Sequence, residues 1–198
     1  LDHDMIKHSE KYVRECIKMC QHLGGSEINI CLFADNSLDF DANHGIVSED
    51  QKKSAIERAI PLLLSLSRFA ADHNVNMLIE PLNRYSTPYC NTAKDAVHVA
   101  AAINQENVGI LLDTFHMNIE ENSFEKTILD SESFVKHMHF ADNNRAMPGY
   151  AHIDFASIVK TLQKIRYNRY VSFEPNLAAN YESSTLTGLQ FIKNLESS

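Results

Sequence analysis

Four short apolar runs in this chain each bring a cation-binding or proton-carrying side chain to their C-terminal end or close to it. Val75–Glu80 reads VNMLIE, Val108–Asp113 reads VGILLD, Phe134–Phe140 reads FVKHMHF and Tyr170–Glu174 reads YVSFE, so the ends present Glu80, Asp113, His139 and Glu174. Three carboxylates and one imidazole converging on one face suit a hard to borderline divalent ion, with Mn²⁺, Mg²⁺ or Co²⁺ favoured over a purely structural zinc. Taken singly, each residue has a plainer explanation: Asp113 as a helix cap or turn former, Glu80 and Glu174 as solvated strand ends, His139 as a core histidine. The recurrence of the pattern at successive strand ends is what favours a shared site.

The elements that must hold these residues follow from the same stretches. Val108 to Leu112 is apolar without interruption, the mark of a strand buried on both faces, and such strands belong to parallel sheets. Ile28–Phe33 (INICLF) makes a fifth strand. Between the strands lie helical patterns. Asp2–Leu23 carries Tyr12, Val13, Cys16, Ile17, Cys20 and Leu23 at helical spacing and stops at Gly24 and Gly25. Ser48 with Gln51 forms a capping box for a helix in which Pro61 is expected to cause a kink or a break. Thr92 with Asp95 opens the next helix, a short one is expected near Ser123–Asp130, Asp154 caps another, and a closing helix uses Leu186, Leu189, Ile192 and Leu195. The polar segment Ala34–Val47 reads as a lid or binding loop. Strand and helix alternate, so the fold class is α/β with a parallel sheet and helices outside it, and in barrels of this kind the C-terminal strand ends carry the chemistry.

Composition narrows the function. With 198 residues the chain is expected to form a single domain, and 44% hydrophobic with 22% charged residues is ordinary for a globular protein. The formal charge of −8 argues against nucleic acid as a partner. No apolar run approaches the ~20 residues of a membrane span, and no basic, apolar leader is visible. The four cysteines form no C-x-x-C pair, and Cys16 and Cys20, one helical turn apart on an apolar face, read as reduced core residues, which fits a cytoplasmic location.

The segments EPLNRY (Glu80–Tyr85), LLDTFHMN (Leu111–Asn118), HMHFADNNR (His137–Arg145) and FEP (Phe173–Pro175), with the intervals between them, resemble the xylose isomerase-like TIM barrels. Within these they look most like the ketose 3-epimerases of the tagatose and psicose (allulose) type. The resemblance implies a (β/α)8 barrel, a divalent metal with Mn²⁺ favoured and Mg²⁺, Co²⁺ or Zn²⁺ also admissible, and a small-molecule sugar as substrate. It implies that Glu80, Asp113, His139 and Glu174 are the metal ligands and that His116 and Arg145 bind the sugar near O1 and O2. The implied reaction inverts C3 of a ketose through a cis-enediolate, and two bases must then flank the carbon. Glu80 and Glu174 are suited to that exchange of protons. An aldose–ketose or hydroxypyruvate-type isomerase on the same barrel is the alternative enzyme, and a catalytically impaired barrel remnant with an interaction role is the alternative of another class.

Two departures accompany the resemblance. Family members commonly carry a further Glu near the Asn-Arg-aromatic segment, whereas here Tyr85 is followed by Ser86 and Thr87. A hydroxyl accepts less strongly than a carboxylate, which leaves the choice of sugar open. Only about five strand–helix units are visible, so the chain is expected to be the C-terminal part of a barrel. Exposed strand edges would then favour a homo-oligomer.

Overall fold

The capping signals fix where the helices begin. In this computed structural model, which describes residues 3–33, 47–176 and 180–197, Ser48 and Gln51 form the reciprocal capping box of α2 (Glu49–Asp72), and Thr92 and Asp95 form that of α3 (Ala93–Ile103). The Asp154 side chain accepts from the Ser157 amide at the start of α6 (Phe155–Lys164). The expected lid Ala34–Val47 lies outside the described residues except for Val47, as does His44 within it.

The chain divides into two compact units, Leu1–Ile110 and Leu111–Ser198. The first contains α1 (His3–His22), β1 (Glu27–Cys31), α2, β2 (Asn76–Glu80), α3 and the start of β3 (Val108–Asp113). Its strands run parallel in the order β1-β2-β3, with Cys31 opposite Glu80 and Ile79 opposite Ile110. Met77, Leu78, Ile79 and Ile110 of the strands are fully or almost fully buried, as are Ile56, Leu63, Leu66 and Ala70 of α2 and Ala96 and Val99 of α3. Such strands, apolar throughout, belong in a parallel sheet covered by helices.

The second unit holds the end of β3, α4 (Thr114–Glu120), α5 (Phe124–Asp130), β4 (Val135–Phe140), α6, β5 (Val171–Phe173) and α7 (Tyr181–Glu196). Its strand order is β3-β4-β5, with His139 opposite Ser172. Among the described residues the fold is α/β, of TIM-barrel type, with five parallel strands.

Several sequence expectations need correction. α2 continues through Pro61 without the break that proline could have caused. The missing donor removes one hydrogen bond, and the buried stripe of α2 on both sides of Pro61 holds the helix together. In α1 only Ile17 of the expected apolar stripe is buried, while Tyr12 and Leu23 are exposed. In α7 Leu186 and Leu189 are exposed and Ile192 is buried. Asp113 is both a strand end and a helix cap: the first residue of α4 directly follows it, so it ends β3 and caps α4 at once. Among the described residues no helix is long and apolar enough to cross a membrane.

Candidate functional site

Asp113 has two oxygens and uses them differently. Oδ1 accepts from the main-chain amides of Phe115 at 2.7 Å and His116 at 3.3 Å, the N-terminal cap of α4. Oδ2 faces the other way and accepts from Arg145 Nη1 at 2.7 Å. The side chain is completely buried, so its orientation is fixed by these contacts. A short turn after β4 supplies Arg145, whose Nη2 donates to Glu174 Oε2 at 2.6 Å just beyond β5. The guanidinium thus forks between two carboxylates, the geometry its planar donors favour. Its Cζ also lies 4.7 Å from the centre of the Phe115 ring, a cation–π contact.

His139 completes the group. Its Nδ1 lies 3.2 Å from Glu174 Oε2 and 3.9 Å from Asp113 Oδ2. The hydrogen bond with His139 and, to a smaller extent, the charge of Arg145 hold the Glu174 carboxyl down to about 2, against the opposing effect of its partial burial. Glu174 is therefore held as an anion. Donor atoms on one ion with bonds of about 2.1 Å stand about 3–4 Å apart, so Asp113, His139 and Glu174 fit a divalent ion in both chemistry and spacing. A cationic guanidinium already bridges their two carboxylates.

Of the sequence-predicted residues, Asp113, His139, Arg145 and Glu174 are brought together in the second unit. His116 lies in the first turn of α4, buried, with its ring edge-on to Phe115 at 5.3 Å between centroids. Glu80 ends β2 in the first unit and is 3% exposed. Its Oε2 accepts from the Asn29 side-chain amide and from the Cys31 thiol, the latter at 3.4 Å. His137 shares a strand face with His139, with ring centroids 5.4 Å apart, and pairs with Ser172 Oγ at 2.8 Å. His152 is exposed in a loop.

The family of the xylose isomerase-like TIM barrel matches residues 1–195 of the chain. The chain belongs to this family. Within the xylose isomerase-like barrels it is 30% identical to the D-psicose 3-epimerase of Ruminiclostridium cellulolyticum over 174 residues, which are 88% of this chain and 57% of that enzyme. It is 34% identical to the 3-dehydro-D-guloside 4-epimerase of Escherichia coli (strain K12) over 114 residues, 58% of this chain and 44% of that one. The crystal structure of D-psicose 3-epimerase with D-tagatose from Clostridium cellulolyticum H10 superposes with a TM-score of 0.84 at 25% identity, over 98% of this chain and 73% of that one. The chain thus spans about half the length of these curated relatives.

Sequence reasoning missed two residues that shape this xylose isomerase-like site. Thr114 Oγ1 donates to the Ala141 carbonyl at 2.7 Å and accepts from the Ala141 amide at 3.0 Å, tying the end of β3 to the end of β4. The Phe115 ring supports the Arg145 guanidinium. The signal for Thr114 was its place directly after the strand-terminal carboxylate. Nothing local marked Phe115, because its partner lies thirty residues further along the chain.

Proposed function

We propose that the protein is a divalent-metal-dependent sugar epimerase that inverts C3 of a free ketose, with Asp113, His139 and Glu174 holding the ion and Glu80 as the fourth ligand that the sequence resemblance implies. The observation that carries the reading is the convergence of Asp113, His139 and Glu174 about a bound cationic group, in a chain 30% identical to a D-psicose 3-epimerase. A bound divalent ion supplies positive charge to the ketone oxygen as negative charge develops there. The protein residues do the rest. One of Glu80 and Glu174 takes the C3 proton as a carboxylate, and the other, as a carboxylic acid, returns a proton to the opposite face. Arg145 and His116 donate to the oxygens at C1 and C2, and such donors typically contribute on the order of a hundredfold in rate. Mn²⁺ is the favoured ion, because the donors are mostly oxygen with one imidazole.

The relationship to a 4-epimerase favours a second reading, inversion at C4 of a keto-sugar glycoside by the same proton exchange. The test is metal analysis of the purified chain by mass spectrometry, with product analysis on a panel of free ketoses and keto-glycosides in added Mn²⁺. One ion per chain and a C3-epimerised ketose support the proposal. C4 inversion moves the assignment to the second reading, carbonyl migration moves it to an isomerase, and unchanged turnover in Glu174→Gln or Glu80→Gln rejects the acid–base pair.

A further inference from the structure

Asp142, three residues after His139, is completely buried. Its side chain gathers main-chain amides. Oδ1 accepts from Asn143 at 2.9 Å and Ile153 at 3.0 Å, and Oδ2 accepts from Gly149 at 3.2 Å and Ala151 at 2.9 Å. The Asp142 main chain closes the same loop, donating to the Ala146 carbonyl and accepting from the Arg145 amide, each at 2.9 Å. Six hydrogen bonds from one residue thus go to a single segment, residues 143–153. An anionic acceptor of several amides is among the strongest polar arrangements a buried site can hold.

That segment carries Arg145 in a left-handed backbone conformation, φ +61°. A residue with a Cβ adopts this region at an energetic cost and stays there only when its surroundings over-determine it. The Arg145 carbonyl in turn accepts from the Asn176 amide at 2.7 Å, two residues after Glu174. On the outer side, α7 presses on the loop: a Cβ on Gly188 would collide with Met147, and one on Gly149 would meet the Phe191 ring at 3.0 Å.

We propose that Asp142 is the positioning residue of the site: by clasping the amides of Asn143, Gly149, Ala151 and Ile153 it fixes the loop in the one shape that carries the Arg145 guanidinium to Asp113 and Glu174. The sugar-binding role of Arg145 rests on the epimerase reading, whereas its placement by Asp142 does not. Asp142→Asn keeps the volume but replaces one amide acceptor with a donor, so at least one clasp turns repulsive.

The test follows the guanidinium directly. In ¹⁵N-labelled, metal-free protein, a guanidinium forked between two carboxylates gives a distinct, slowly exchanging side-chain signal, assigned by its loss in Arg145→Lys. Asp142→Asn is expected to abolish this signal. It should also lower exchange protection of the Gly149, Ala151 and Ile153 amides by about tenfold to a hundredfold, while Leu78 and Ile79 stay protected. Asp154→Ala, which removes only the α6 cap, should leave the Arg145 signal in place. An unchanged Arg145 signal in Asp142→Asn overturns the proposal, and so does equal loss in Asp154→Ala, which would mark a general effect of stability. If Asp142→Asn does not fold, native-state exchange of the unaltered protein in mild denaturant decides. The three amides and the Arg145 signal should then be lost at one denaturant concentration, and separate loss overturns the claim. An Arg145 signal lost as expected in a protein that turns over no sugar keeps the positioning claim and removes the epimerase reading. Activity retained with an unmoved signal does the reverse. Where turnover is measured, Asp142→Asn and Arg145→Lys should each raise KM, and the double variant should be no worse than Arg145→Lys alone.

Discussion

Asp113 performs two tasks with two oxygens, and substitution separates them. Asp113→Ala removes the cap on α4, about 1 kcal/mol, and takes from Arg145 its fully buried partner. Breaking a buried ion pair costs about 3–5 kcal/mol when the surviving charge is stranded. Arg145 is not stranded, because its other branch keeps Glu174 at 2.6 Å and its side chain is 19% exposed, so about 2 kcal/mol is the reasonable share. The total is about 3 kcal/mol. Asp113→Asn has one oxygen and can serve the helix or the guanidinium, but not both. It should lose only the smaller contribution together with some donor–donor repulsion, about 1–2 kcal/mol. Urea unfolding followed by circular dichroism in a chelator gives both numbers from the shift in midpoint at constant slope. Repeating the titration at a Mn²⁺ concentration a hundred times the dissociation constant should stabilise the unaltered protein by about 2.7 kcal/mol and neither variant. If Ala unfolds within about 0.5 kcal/mol of the unaltered protein, or if Asn is the more damaging of the two, the division of labour between Oδ1 and Oδ2 is wrong.

Other consequences are open to equally direct checks. Gly188→Ala gains about 1 kcal/mol of helix propensity but drives a methyl into buried Met147, whose Sδ would lie 3.1 Å away, an overpacking of about 1–3 kcal/mol; a net loss in urea, relieved in combination with Met147→Ala, is expected, and a net gain refutes the contact. Burial pushes the Asp95 carboxyl up, but Lys52 at 2.6 Å, with the Thr92 and Asn91 amides, outweighs it and holds the group below its ordinary value. The stability this lends is present above the ordinary carboxyl range and lost as pH falls below it, so Lys52→Met should flatten the acid limb of a melting-temperature profile while lowering stability near neutrality by about 1–3 kcal/mol. Burial, with the negative charge of Asp95, pushes the Cys90 thiol far up, and peptide mapping after alkylation of the folded chain should find Cys90 unmodified and Cys16 or Cys20 modified.

What was legible in the sequence is what depends on neighbours in the chain. Ser48 with Gln51, Thr92 with Asp95, and Asp154 announce helix starts because the capping bond spans three residues, and the structure places all three as read. The ends of β2 and β3 were equally readable, since an apolar run that stops at a carboxylate marks its own boundary, whereas β1 stops at Cys31 instead of Phe33 and β5 at Phe173, one residue short of Glu174. Burial was less so: periodicity gives the face of a helix but not how much of that face is covered, and Tyr12, Leu23 and Leu186 lie on expected apolar faces yet remain exposed. At Asp113 a cap and a site look like competing roles for one carboxylate. They do not compete: a carboxylate that gives Oδ1 to two amides is pinned in orientation, and only a pinned carboxylate presents Oδ2 at a fixed point in space. The same reasoning explains why Asp142 escaped notice. Its partners lie one, seven, nine and eleven residues away, spacings that belong to no helix or strand period. A buried carboxylate devoted to main-chain amides leaves no pattern in sequence, although it decides where the one long cationic side chain of the site can reach.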